Sequence, residues 1–220
     1  MSRYAIFGTG DVGKALGAKL VSLGHEVMIG SREGAKAADW VESQGDLASQ
    51  GTFAQAAAFG DIGILCVGGP NAPAVMRAID GKMDGKVVID VCNPLDFSQG
   101  FPPTLTTCNT TSLGEELQAE FPNVKFVKAL NTTNNAIMVN PGALAESDHF
   151  LPMCGNDNEA KEKVKELLKS FGWQEIIDLG DMTNARGTEM LLPLWVRLYG
   201  KFNFNGMFNF KIVREPTASA

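Results

Sequence analysis

Histidine is scarce in this chain: of 220 residues, His25 and His149 are the whole supply. Neither has a Ser or Asp partner at a spacing that suggests a nucleophile and base, so both read as core or surface residues. The four cysteines, Cys66, Cys92, Cys108 and Cys154, show no C-x-x-C spacing and no neighbouring histidine. That excludes a zinc or dithiol motif, and Cys66 and Cys92 read as small hydrophobes near the ends of adjacent strands. Positive charge is not in excess either: 19 Lys and Arg stand against 25 Asp and Glu, a net charge of −6. Such a balance leaves no electrostatic footprint for nucleic acid or an anionic membrane. No apolar run approaches the roughly 18 residues of a membrane span. The opening residues read as a core strand rather than a signal peptide, so a cytoplasmic protein is expected.

What is present begins at once. Arg3-Tyr4-Ala5-Ile6-Phe7 is a strand pattern that runs into Gly8-Thr9-Gly10-Asp11-Val12-Gly13 and then into an amphipathic segment from Lys14 to Leu20. A G-x-G-x-x-G between a strand and a helix predicts a dinucleotide site. Gly8 permits the tight turn, Gly10 lets backbone amides approach a pyrophosphate, and Gly13 lets the helix pack close to the strand. The helix N-terminus adds free N–H donors and partial positive charge. A second strand, His25 to Ile29, is followed by Gly30-Ser31-Arg32-Glu33-Gly34-Ala35-Lys36. An NAD enzyme usually carries a carboxylate here for the ribose 2′-hydroxyl, whereas Ser31, Arg32 and Lys36 suit a 2′-phosphate. NADP is expected over NAD, with Lys36 one turn into a helix from Glu33 to Ser43.

The alternation continues with strands at Gly51-Thr52, Asp61–Val67, Lys86–Val91, Val124–Ala129, His149–Cys154 and Gln174–Asp178. Helical patterns lie between them at Phe53–Phe59, Pro70–Asp80 and Leu113–Phe121, then in a stripe of Ala160, Val164, Leu167, Leu168 and Phe171 that Asn156 is placed to cap. This predicts an α/β fold, a doubly wound, mostly parallel sheet of the Rossmann type with a short C-terminal helical extension. Residues 1–178 form the nucleotide-binding domain, and residues 179–220 pack on it or in a dimer interface. A long loop from Asn93 to Thr111 follows a strand's carboxyl end, where such sheets bind ligands. Asp181 to Tyr199 reads as one helix, apolar nearly all round and kinked at Pro193. The tail from Phe202 to Phe210 alternates aromatic and polar residues and reads as a strand or a lid.

Along nearly its whole length the chain resembles the coenzyme F420-dependent NADP oxidoreductases. The resemblance rests on the Gly8–Gly13 loop and Gly30-Ser31-Arg32, then on Asp90-Val91-Cys92-Asn93-Pro94-Leu95 and Lys128-Ala129-Leu130-Asn131-Thr132. Met153–Glu159, Asn184–Glu189 and Phe210-Lys211-Ile212 complete it. It implies hydride transfer between NADPH and a flat tricyclic small-molecule acceptor, coenzyme F420 or a flavin. It also implies that Thr9, Ser31 and Arg32 hold NADP, while Val67, Asn93 and Pro94 wall the nicotinamide. Leu130, Asn131 and Thr132 would face the acceptor, with Asn131 orienting rather than reacting, and no metal is implied. Family members are usually dimeric, so a homodimer is expected. Two other readings stay open on the residues: an NADPH-dependent reductase of a small carbonyl or imine, with Lys128 or Asn131 orienting or protonating the substrate, and a non-enzymatic NADP-sensing module.

Overall fold

Short apolar runs punctuated by glycine-bearing turns each become a strand here. The computed structural model describes residues 1–215. It runs β1 (Arg3–Phe7), α1 (Asp11–Ser22), β2 (Glu26–Ser31), α2 (Ala38–Gln44), β3 (Ala48–Thr52), α3 (Phe53–Phe59), β4 (Ile62–Leu65) and α4 (Ala72–Ile79). Then come β5 (Val87–Asp90), β6 (Leu95–Asp96), β7 (Thr104–Leu105), α5 (Leu113–Glu120), β8 (Lys125–Ala129) and α6 (Asn135–Val139). The chain closes with β9 (Phe150–Gly155), α7 (Asn158–Phe171), β10 (Glu175–Asp178), α8 (Ala185–Met190) and α9 (Leu192–Lys201).

Eight strands form one sheet in the order β10-β9-β8-β5-β4-β1-β2-β3. Every neighbouring pair is parallel except β8 with β9. Helices cover both faces, so alternate residues of a strand feed different cores. In β1, Tyr4 and Ile6 join the cluster of Leu16, Leu20 and Trp173, while Ala5 and Phe7 join that of Val75, Met83 and Phe126. From β1 the chain winds outward to β2 and β3, then returns to the other flank of β1 at β4. The connections leaving the adjacent carboxyl ends of β1 and β4 therefore diverge, to α1 on one face and α4 on the other, which places a ligand crevice between them.

Several sequence expectations need correction. The helix expected from Glu33 begins only at Ala38, because Gly34 takes a φ of +77° and its N–H is held by the Ser31 hydroxyl. Lys36 therefore sits in a turn. The residue capping α7 is Asp157, whose carboxylate accepts from the Ala160 N–H; Asn156 accepts instead from Met182. The loop after β5 contains the small antiparallel hairpin β6–β7. The C-terminal segment is two helices, not one, and Pro193 lies in the first turn of α9, where its missing N–H costs nothing. The residues from Phe202 to Phe210 form a turn and irregular chain without a strand. Helix α6 was not legible in the sequence.

Candidate active site

The loop from Gly8 to Gly13 turns between β1 and α1 as its glycines require. Gly8 has a φ of +138°, and a β-carbon there would lie 2.5 Å from the Cys66 carbonyl oxygen. Gly13 is equally constrained, by the Gly8 carbonyl oxygen at 2.2 Å. Gly10 differs: its virtual β-carbon meets nothing within 4 Å, because it faces open space at the uncapped start of α1. Backbone N–H groups without a side-chain cap beside an open cradle suit a phosphate.

Two grooves meet at this point. One, of about 410 Å³, is lined by Gly8, Thr9, Gly10, Ser31, Arg32 and Lys36, with Phe53, Asn71 and Val75 on its far side. The other, of about 580 Å³, is lined by Gly10, Asp11, Val12, Val67, Asn93, Leu95 and Phe97, among others. Gly10, Cys66, Val67, Gly68 and Asn71 belong to both, so the grooves form one trough along the β1/β4 crevice. Asn71 also touches a smaller recess beside Arg32. It was missed in the sequence, although a residue six places after the end of β4 is where the switch-point rule directs attention. A cavity of similar size lies at the amino ends of the strands, lined by Tyr4, His25 and Lys86, and the Gly8–Gly13 loop has no part in it.

Glu33, the one nearby carboxylate that could repel a 2′-phosphate, lines neither groove and is paired with Lys36 at 3.5 Å. Arg32 is exposed and has no ion-pair partner among the described residues. Ser31 is buried, its oxygen already accepting from Gly34 at 2.9 Å while its own O–H stays available.

At the larger groove the expected residues divide. Val67 and Asn93 line it. Pro94 is buried, and its carbonyl accepts from the Thr106 N–H, rooting the hairpin. Leu130, Asn131 and Thr132 are also buried and do not line the groove themselves. Asn131 reaches it through Asn93: the Asn93 amide donates to the Asn131 carbonyl at 2.8 Å, and the Asn131 amide donates to Asn93 Oδ1 at 3.0 Å. This pair leaves Asn131 Oδ1 buried without a donor. Leu130 holds a left-handed φ of +65°, a conformation that costs of order 1 kcal/mol and concentrates at functional sites.

Beneath this pair lies a charge cluster that the sequence did not reveal. Lys128 is fully buried, with Asp90 and Glu189 each 2.8 Å from its Nζ. Burial alone would lower its pKa, yet the two carboxylates hold it above the ordinary lysine value. Burial also raises the pKa of Glu189, against the pull of Lys128. Lys128 donates to the Cys92 carbonyl at 2.6 Å and Asp90 accepts from the Cys92 N–H at 2.9 Å, so Cys92, the residue before Asn93, is held on both sides. Glu189 also accepts from the N–H groups of Leu113 and Gly114 at the start of α5. Lys128 lines neither groove, so from this position it does not meet a substrate to orient or protonate it in carbonyl reduction. Burial pushes the thiol of Cys66 up to about 12, as befits an unreactive packing residue.

His149 needs a different correction. Because β9 runs antiparallel to β8, its start lies at the same end of the sheet as the trough. Its ring is nevertheless occupied. Nε2 lies 3.1 Å from the Pro141 carbonyl, Asn209 reaches Nδ1 at 2.9 Å, and Trp173 packs edge-on. No group of three or more potential metal ligands occurs among the described residues.

Fold and trough together define a dinucleotide-binding α/β protein. The family described as NADP oxidoreductase, coenzyme F420-dependent matches residues 3–94. A solved structure from Arthrobacter sp. FB24, provisionally assigned as an F420-dependent NADP reductase, is 44% identical. It covers 97% of this chain and 100% of its own, with a TM-score of 0.93. The F420-dependent NADP reductase of Methanocaldococcus jannaschii is 28% identical over 90% of this chain and 92% of its own. Metalloreductase STEAP3 of Rattus norvegicus is 27% identical over 88% of this chain, which corresponds to 38% of that longer protein. The chain belongs to the coenzyme F420-dependent NADP oxidoreductase family, and it is an oxidoreductase.

Proposed function

We propose that this protein transfers a hydride between NADPH and a flat tricyclic acceptor, coenzyme F420 or a flavin. The observation that carries the reading is the continuous trough. It has Ser31, Arg32 and Lys36 at one end, an open cradle at Gly10 in the middle, and a larger, mainly apolar groove at the other end. NADPH bound along it would supply two electrons and a proton as hydride, which the acceptor takes up with a second proton from water.

The residues have binding and orienting work to do. Arg32 and Lys36, with the Ser31 hydroxyl, would hold the 2′-phosphate. Gly8 to Gly13 and the start of α1 would take the pyrophosphate, with Thr9, Asp11 and Val12 at its flanks. Val67 and Asn93 would bound the nicotinamide. Asn131, buried behind the groove, would act through Asn93, whose side chain it fixes with two hydrogen bonds. Leu130, Thr132 and Pro94 would support this geometry from behind. No protein acid or base is required, since alignment to about 1 Å governs such a step. A homodimer belongs to the same reading. Met190, Leu194, Phe202, Phe204 and Met207 are all exposed on the C-terminal segment, and clustered exposed apolar residues mark an interaction surface.

The test is Arg32→Ala. Loss of charge-assisted bonds to the 2′-phosphate should weaken NADPH binding by roughly ten- to a hundredfold and leave NADH binding nearly unchanged. Titration of both cofactors into both proteins reads the difference, and equal losses would refute the assignment.

A further inference from the structure

The far wall of the larger groove has no role in the account so far. It is formed by the β6–β7 hairpin, which contributes Leu95 and Phe97. Phe97 is 58% exposed. The other exposed phenylalanines each rest on a ring of the C-terminal cluster. Phe101 lies 5.4 Å from Phe204, Phe202 lies 5.3 Å from Phe208, and Phe204 also meets Tyr199 at 5.5 Å. Phe97 alone of these four has no partner ring among the described residues.

The backbone that carries this ring is well anchored. The Leu95 N–H donates to the Asn93 carbonyl and the Thr106 N–H to the Pro94 carbonyl, each at 2.8 Å. The Asp96 carboxylate accepts from the Ser98 N–H at 2.8 Å and from its hydroxyl at 3.0 Å. The hairpin is thus rooted on the same Asn93-Pro94 segment that the Asp90–Lys128 clamp positions. A phenyl ring left in water at a groove wall, on a tied backbone, gains free energy only when an apolar face covers it.

We propose that Phe97 is the stacking face for the hydride acceptor and sets the preference for a wide aromatic ring over a small carbonyl compound. The proposal rests on reading the trough as a hydride-transfer site. A flat tricyclic ring offers an offset-stacked partner to Phe97, whereas a small ketone or imine spans too little of the groove to reach it and gains nothing from the ring.

The experiment compares wild type with Phe97→Ala and Phe97→Trp. Equilibrium binding of coenzyme F420 and of FMN to NADP⁺-saturated protein is followed by the acceptor's own fluorescence, NADP⁺ affinity by calorimetry, and folding by thermal melting. Phe97→Ala should weaken binding of the preferred acceptor and raise its KM by about tenfold, with NADP⁺ affinity and melting temperature unchanged. Phe97→Trp should restore both acceptor values. Equal acceptor binding by wild type and Phe97→Ala overturns the proposal. If wild type binds an acceptor but transfers no hydride, the reaction reading fails, and the same binding comparison still decides the role of Phe97. Binding of neither acceptor by wild type overturns both.

Discussion

A β-carbon built on Gly13 would stand 2.2 Å from the Gly8 carbonyl oxygen, while one built on Gly10 meets nothing within 4 Å. The two glycines of one loop thus answer to different demands, the first to packing and the second to the ligand. Gly10→Val should therefore give a protein that melts like wild type and no longer binds NADPH, since the side chain fills the cradle. Gly13→Ala should lower the melting temperature, because the helix must move away from the strand. Thermal melts and calorimetric titration of both variants separate the two effects. A Gly10→Val protein that retains wild-type NADPH affinity would contradict the phosphate cradle. The motif was legible because its residues are contiguous and each glycine has a local steric reason. The cluster of Asp90, Lys128 and Glu189 was not, because its members lie 38 and 61 residues apart in sequence and only the fold makes them neighbours.

Elements show the same contrast. Strands and long helices were readable from apolar spacing, as in α7, where every residue of the Ala160, Val164, Leu167, Leu168 and Phe171 stripe is buried. Starts were harder, because a side chain that bonds locally can delay a helix, as Ser31 does through Gly34. Helix α6 has too few residues to show a period, and its cap, Asn134 accepting from Ala136, is a weak signal by itself. The C-terminal helices are fastened to the sheet domain by polar ties. Glu189 holds the start of α5, and Arg186 makes a two-point contact with Glu115 at 2.8 and 2.5 Å. Arg186, aided by Ser112, holds the Glu115 carboxyl below its ordinary value of 4.5. The folded state then binds fewer protons there than the unfolded state. The stabilisation is full above about pH 4.5 and is lost as the pH falls through the folded value. Glu115→Gln should cost about 1 kcal/mol at neutral pH, since the pair is part-exposed, and nothing once the wild-type carboxyl is protonated. Melts across this acid range check it; a constant difference at every pH would exclude Arg186 as the cause.

For the molecule as a whole, the winding of the sheet decides where chemistry can occur. It joins the end of β1, the end of β4 and the turn after β5 in one trough, although residues 8, 67 and 93 are far apart in the chain. The sequence conveyed this through the order of its elements, but not the reversal of β9, which shifted His149 to the trough's end of the sheet. The exposed apolar residues of the C-terminal segment carry the expectation of a homodimer, and light scattering at micromolar concentration should return twice the mass of 23.5 kDa. A monomeric mass with NADPH present would count against it. The central claim is the hydride itself. NADPH carrying deuterium on the transferable face of its nicotinamide, mixed with the protein and coenzyme F420, should yield reduced acceptor bearing one deuterium on ring carbon, as mass spectrometry would show. Reduced acceptor without the label, or labelled NADPH left unoxidised by F420 and flavins alike, would contradict the account.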